Sequence, residues 1–306
     1  MVATGEMPGD GEVQLGAVRL PAGRRIHAGT PAPWYSDVGI AWMAEQEAAA
    51  RDYARAHPGV PLLWATDEPV PDAGRVWHEL HQMAPETGLV PITLASLGDQ
   101  GSGTYSDQPG LRGRPWDSGE LDNPYPLADA DRVDVPALLA EYWEDSVEPG
   151  EDDPELLAML GSFGREFPGL APASEGPLND EELAAALRLT RPARLGLVPA
   201  SRPADVLSLT GFVGLTNRGT PVEFTAVLRG WEERFGAVLY EVGFADVRVL
   251  VTRPPRTRRA AELVAAEISV MCDEFWPIER RGTAFKGVPQ IADYLKDAPF
   301  WGFWWD

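Results

Sequence analysis

The residues of this chain best suited to chemistry sit in its last third. Arg229, Glu232, Glu233 and Arg234 surround Trp231 in the stretch LRGWEERF (228–235). At helical spacing Arg229 reaches Glu233 across one turn, so a solvated ion pair is the plain outcome. A sharper outcome turns Arg229 or Glu232 into a pocket. Glu267 follows downstream, and Asp306 adjoins Trp304 and Trp305. In such a site an arginine would hold an anion. A carboxylate desolvated by tryptophan would gain the proton affinity a general base needs. Arg229, Glu232, Glu267 and Asp306 would line it. The candidate pocket in full is Arg229, Trp231, Glu232, Arg234, Glu267, Cys272, Asp273, Trp304, Trp305 and Asp306.

Other motifs carry less. Cys272, the one cysteine, falls on the apolar face of its helix, and Asp273 and Glu274 beside it would raise its pKa. That is the setting of an inert buried thiol, not of a nucleophile. His78-Glu79-Leu80-His81 spaces its histidines three apart, where the zinc-protease motif needs four and a third ligand. Gly98-Asp99-Gln100-Gly101-Ser102-Gly103-Thr104 follows a strand, as phosphate loops do. It lacks their Lys-Ser/Thr ending, and Gly101-Ser102-Gly103 is not a nucleophile elbow. Neither a metal nor a cofactor is expected. Trp116, inside the Gly/Pro-rich loop 98–126, must bury its ring, so that loop is expected to fold over the body, as packing or, alternatively, as a lid over a site.

The elements that must position these residues are clearest in the last third. Thr220, Pro221 and Glu223 form an N-cap, first-turn proline and capping box. Phe224, Val227, Leu228, Trp231 and Phe235 follow at helical spacing, and Gly236 sits where a left-handed cap belongs. AVLYEV (237–242) and VRVLVT (247–252) read as a hairpin, and Thr257 opens a helix to about Phe275. A short helix over 288–296 leads into FWGFWWD, whose Phe303 and Trp304 are expected to enter the core with Gly302 allowing close approach.

Upstream, strands are expected at 12–20 (ended by Pro21), 60–66, 89–97 (an edge or a bulge, given Pro91) and 193–200. Helices are expected at 40–56, 75–83, 136–146, 154–166 and from Asn179 or Asp180 to about Leu189, with 167–180 as a linker. The fold class is α+β, with α/β the alternative: a mixed or antiparallel sheet flanked by helices. An acidic region 1–175 precedes a C-terminal domain 176–306, with a soft division.

Charge limits the partners. The net charge is −21, and the excess lies in residues 1–200, with 33 acidic and 13 basic residues. Such a surface repels phosphate backbones and argues against nucleic acid. It suits a basic protein partner. No apolar run approaches the roughly 18 residues a membrane span needs. The N-terminus lacks the pattern of a signal peptide, and a single cysteine fits a reducing cytoplasm.

From Arg194 onward the chain resembles the bacterial domain of unknown function 4253 family. LRGWEERFGA (228–237), AAE (265–267), Cys272-Asp273 and FWWD (303–306) are similar, in order, to the family's LRSWEDRFGA, AAEH, CPD and FWWD blocks. Ile268 stands where the family has histidine, and no proline separates Cys272 from Asp273. If that histidine serves a site in relatives, the site is altered here. The resemblance implies a fold and no reaction. Two functions stay open: a non-enzymatic protein that binds a protein partner, with toxin neutralisers as one instance, or a hydrolase or transferase using the arginine–carboxylate pocket.

Overall fold

The computed structural model describes residues 5–27, 61–95, 124–146, 154–188, 190–212, 214–215, 218–243, 245–272, 274–276, 284–285 and 287–305. In chain order the strands are β1 Gly11–Leu15, β2 Val18–His27, β3 Pro61–Thr66, β4 Leu89–Leu94, β5 Arg194–Pro199, β6 Ala237–Val242, β7 Asp246–Val251, β8 Glu274–Phe275 and β9 Phe300–Trp304. The helices are α1 Ala73–Thr87, α2 Leu127–Ala130, α3 Val135–Asp145, α4 Pro154–Leu160, α5 Asp180–Arg188, α6 Val206–Thr210, α7 Pro221–Phe235, α8 Arg258–Met271 and α9 Val288–Leu295. A 3₁₀ turn, Pro203–Asp205, precedes α6.

All nine of these strands join one mixed sheet in the order β1-β2-β3-β5-β4-β6-β7-β9-β8. The class is α+β, as the hairpin signal implies. Only β4 and β6 run parallel. The sheet draws on both regions of the sequence, because β4 lies between β5 and β6.

Each face of the sheet carries its own apolar core. One face packs α3, α6, α7, α8 and α9 around Trp231, Phe224, Phe235, Trp301, Phe303 and Trp305. The other packs α1 and α5 around Trp64, Trp77, Leu80, Leu195 and Phe300. Strand alternation assigns the faces. On β7, Val247, Val249 and Val251 join the first core and Leu250 the second.

Local signals act where they are strong. Thr220 Oγ1 accepts the Glu223 N–H, and the Glu223 carboxylate accepts the Thr220 N–H. Gly236 ends α7 at φ 58°, a left-handed conformation that costs glycine nothing. β6 and β7 pair antiparallel as the hairpin predicts.

Several expectations are corrected. Residues 12–20 form not one strand but two, and β2 runs through Pro21 to His27. Pro21 lies in the irregularity between the pairs Val13↔Leu20 and Gly11↔Gly23, where its missing N–H breaks no ladder bond. β4 is central, not an edge. Pro91 is tolerated there because pairing with β6 starts only at Thr93, and the Pro91 carbonyl accepts the Trp77 indole N–H at 2.8 Å. α8 stops at Met271, and Phe275 instead pairs with Phe303 in β8. α4 stops at Leu160, before Gly161 at φ 64°. The 167–180 stretch is a pinned strap: Ser174 and Leu178 N–H groups donate to the Arg234 and Thr252 carbonyls. The helix expected at 40–56 and the core of the 98–126 loop, with Trp116 and the Gly98–Thr104 stretch, lie outside the described residues.

Candidate functional site

α7 presents two faces, and the candidate residues divide between them. Its inner face buries Phe224, Val227, Leu228, Trp231 and Phe235. Trp231 stacks on Phe303 with centroids 5.3 Å apart and meets Trp301 edge-on at 5.8 Å. The Trp231 indole N–H is left pointing toward α8, where it donates to Glu267 at 2.8 Å.

Glu267 is completely buried, and both of its oxygens are occupied. Arg234 donates to Oε1 at 2.7 Å and to Oε2 at 2.6 Å, in a two-pronged pair. The backbone N–H of Ala171 adds a 2.7 Å bond from the strap. Arg234 also donates to the Ala171 carbonyl at 2.8 Å. A buried carboxylate needs this degree of compensation to remain charged. With four donors around it, Glu267 ties α7, α8 and the strap together, and no lone pair is left to take a substrate proton.

Arg229 and Glu232 lie on the outer face and enter a second network. Arg229 does not pair with Glu233. It donates to Asp205 at 2.7 Å and to Asp131 at 2.6 Å. Arg202 holds Glu232 at 2.8 Å and Glu233 at 3.1 Å. Burial pushes the Glu232 carboxyl above the usual range; Arg202 opposes this, and Asp205 and Glu233 add to it. Arg253 crosses the end of α7 and donates to the Glu233 carbonyl at 2.6 Å. The structure thus joins Arg229 and Glu232 through their shared neighbour Asp205, and it joins Trp231, Arg234 and Glu267 separately.

The remaining candidates scatter. Cys272 is 3% exposed, caps α8, and its thiol donates to the Ile268 carbonyl at 3.5 Å. It lines a cavity of about 310 Å³ with Ser146, Ser269, Arg218 and Phe275. Trp305 enters the core and donates to the Met271 carbonyl at 2.8 Å. Trp304 does not enter it. Alternation along β9 sends Phe303 inward and turns Trp304 to the opposite face, where it stacks on Trp276 at 5.0 Å. Gly302 faces the Trp276 carbonyl so closely that a Cβ would lie 2.2 Å from it, the close approach expected of this glycine. Asp273 and Asp306 lie outside the described residues. Away from α7, His78 meets Gln82 at 3.0 Å and His81 stacks on Trp77, with burial pushing its imidazole pKa down.

One charged group escaped the sequence reading. Arg248 on β7 pairs with Glu241 on β6 at 2.8 Å and stands 4.0 Å from Asp246. All three are buried, and Arg191 stands 4.0 Å from Glu241. The signal was available in DVRVLV (246–251), where Asp246 and Arg248, two positions apart, interrupt an apolar strand.

No curated protein and no solved structure matches the chain. A family model does match, over the region that builds α7, α8 and the aromatic strand: residues 194–306 match Domain of unknown function (DUF4253).

Proposed function

We propose that this protein is a non-enzymatic binding protein that recognises a basic protein partner through the acidic surface of residues 1–200. The observation that carries this reading is how the described charges divide. The arginines and carboxylates of the α7 region are closed on one another, and Glu267 accepts four donors. On two helices of the N-terminal region, described carboxylates instead face water. α3 buries Leu139 and Trp143 and exposes Glu141, Glu144 and Asp145. α5 exposes Asp180, Glu181 and Glu182. Surfaces of one sign accelerate encounter with a partner of the other sign and reject like-charged partners.

The test is recovery of partners from the native cell by the tagged full chain, with quantitative mass spectrometry. A stoichiometric partner that is lost from the triple variant Glu141→Lys, Glu144→Lys, Asp145→Lys, and lost at high salt, is the expected result. Recovery of no stoichiometric protein would overturn the proposal.

A further inference from the structure

Within the strap, Ala171 is the one buried residue of 170–177. It is 1% exposed; Leu170 and Ser174 are half-buried, and Pro172, Ala173, Glu175, Gly176 and Pro177 face water. The Ala171 N–H donates to Glu267 Oε1 at 2.7 Å, and the Ala171 carbonyl accepts from Arg234 Nη1 at 2.8 Å. The Ser174 N–H adds a 3.0 Å bond to the Arg234 carbonyl, one of the orphan carbonyls in the last turn of α7.

These bonds follow the logic of a sheet. Pro172 biases the residue before it toward extended backbone. In an extended chain the N–H and C=O of one residue point the same way, and a paired strand answers them with a C=O and an N–H. Here Glu267 Oε1 takes the place of the carbonyl and Arg234 Nη1 that of the N–H. Side chains from two helices thus read the backbone of a residue with almost no side chain of its own. The pair does not depend on that reading. Without the strap Glu267 keeps Trp231 and both arms of Arg234, three of its four donors.

Two left-handed glycines bound the stretch, Gly169 at φ 83° and Gly176 at φ 82°. A Cβ at either would meet nothing within 4 Å, so each is glycine for its backbone and not for packing. Outside them the chain stays fixed: Phe167 packs on the core, and the Leu178 N–H donates to the Thr252 carbonyl at 2.7 Å. Few buried contacts between two permissive joints are the marks of a segment that opens locally. We propose that residues 170–175 are a latch: a tethered backbone ligand that swings out between Gly169 and Gly176 and uncovers Arg234 and Glu267 as a receptor for an extended backbone.

Hydrogen exchange of the full chain, resolved to single amides by mass spectrometry, tests the opening without a variant. The Ala171 and Ser174 amides are expected to exchange together, about a hundredfold faster than the slowest amides of α7 and without response to low urea. Exchange of both only at the rate of α7 would overturn the latch, because the strap would then open only with the whole fold. The receptor is tested with a fluorescein-labelled peptide of the strap's own sequence, FPGLAPASEGPL (167–178), followed by polarisation. Ala171→Asp in the full chain puts an uncompensated charge at a buried position beside Glu267 and releases the strap, with the near-ultraviolet dichroism unchanged. The peptide is expected to bind that variant at least about tenfold more tightly than wild type, because the tethered copy no longer occupies the site. The same Ala171→Asp change in the peptide abolishes binding. Equal binding to wild type and variant, or no binding to the folded variant, would overturn the receptor. Because α3 is untouched in these experiments, their failure leaves the proposal for the acidic face standing, and the reverse holds.

Discussion

Glu267 on α8 holds the guanidinium of Arg234 on α7 through both carboxylate oxygens, at 2.7 and 2.6 Å, with the tryptophan indole N–H of Trp231 as a further donor. Removing one member of such a pair leaves a charge buried without its counterion. Glu267→Gln is therefore expected to destabilise the fold by about 3–5 kcal/mol. Replacing both partners, Arg234→Met with Glu267→Leu, is expected to recover a large part of that loss. Urea denaturation of the two single variants and the double variant measures the coupling. Additive losses would show that the pair does not act as a unit.

Glu232 links stability to pH. Its carboxyl is raised by burial, with Arg202 opposing, so the folded state holds its proton to higher pH than the unfolded chain does. The folded state binds the extra proton, and stability falls as pH rises from the ordinary carboxylate range through the raised one. Glu232→Gln is expected to flatten that part of the profile. Urea midpoints across the acidic range compare the two proteins, and parallel curves would count against the assignment.

Gly302 is a steric requirement of the β8–β9 contact. A methyl group there would lie 2.2 Å from the Trp276 carbonyl, a backbone atom that cannot swing aside. Gly302→Ala is expected to cost about 1–3 kcal/mol through displacement of β8. Thermal unfolding followed by tryptophan fluorescence reads it, and an unchanged midpoint would mean the strands separate without cost.

The two tryptophans at the end of the aromatic block are expected to behave differently. Trp305 is fully buried, and its indole holds the Met271 carbonyl at 2.8 Å. Trp305→Ala is expected to cost about 3–5 kcal/mol. Trp304 is only partly buried, stacked on Trp276 on the other face, and Trp304→Ala is expected to cost less. Equal losses in guanidinium denaturation would contradict the assignment of faces. Deleting 300–306 removes β9 from between β7 and β8 and should leave the C-terminal region unfolded, read as loss of the near-ultraviolet dichroism.

Cys272 is expected to be inert in the native state. Its 3% exposure predicts slow reaction with a disulfide reagent, becoming fast on unfolding. A native rate equal to the denatured rate would show that the cavity beside it admits the reagent freely.

Elements whose signals are local are legible in the chain before it folds. The capping box at Thr220 and Glu223, Pro221 in the first turn and Gly236 at the end specify α7 within its own span. The apolar alternation in 237–251 is enough for a hairpin, and the density of rings in FWGFWWD is enough to require their burial. Which charges meet follows from packing. Arg229 is one turn from Glu233, yet it pairs with Asp205, 24 positions away, and with Asp131, 98 positions away. An exposed pair one turn apart is worth only about 0.2–0.5 kcal/mol. Asp205 is buried and would be left as an uncompensated charge without its arginine, so the tertiary pairing wins. The same holds for Trp304. That β9 alternates is written in the sequence; which parity faces the α7 core depends on its register between β7 and β8. Local rules act within one turn or one pleat, whereas partners are chosen by the surfaces that chain topology brings together.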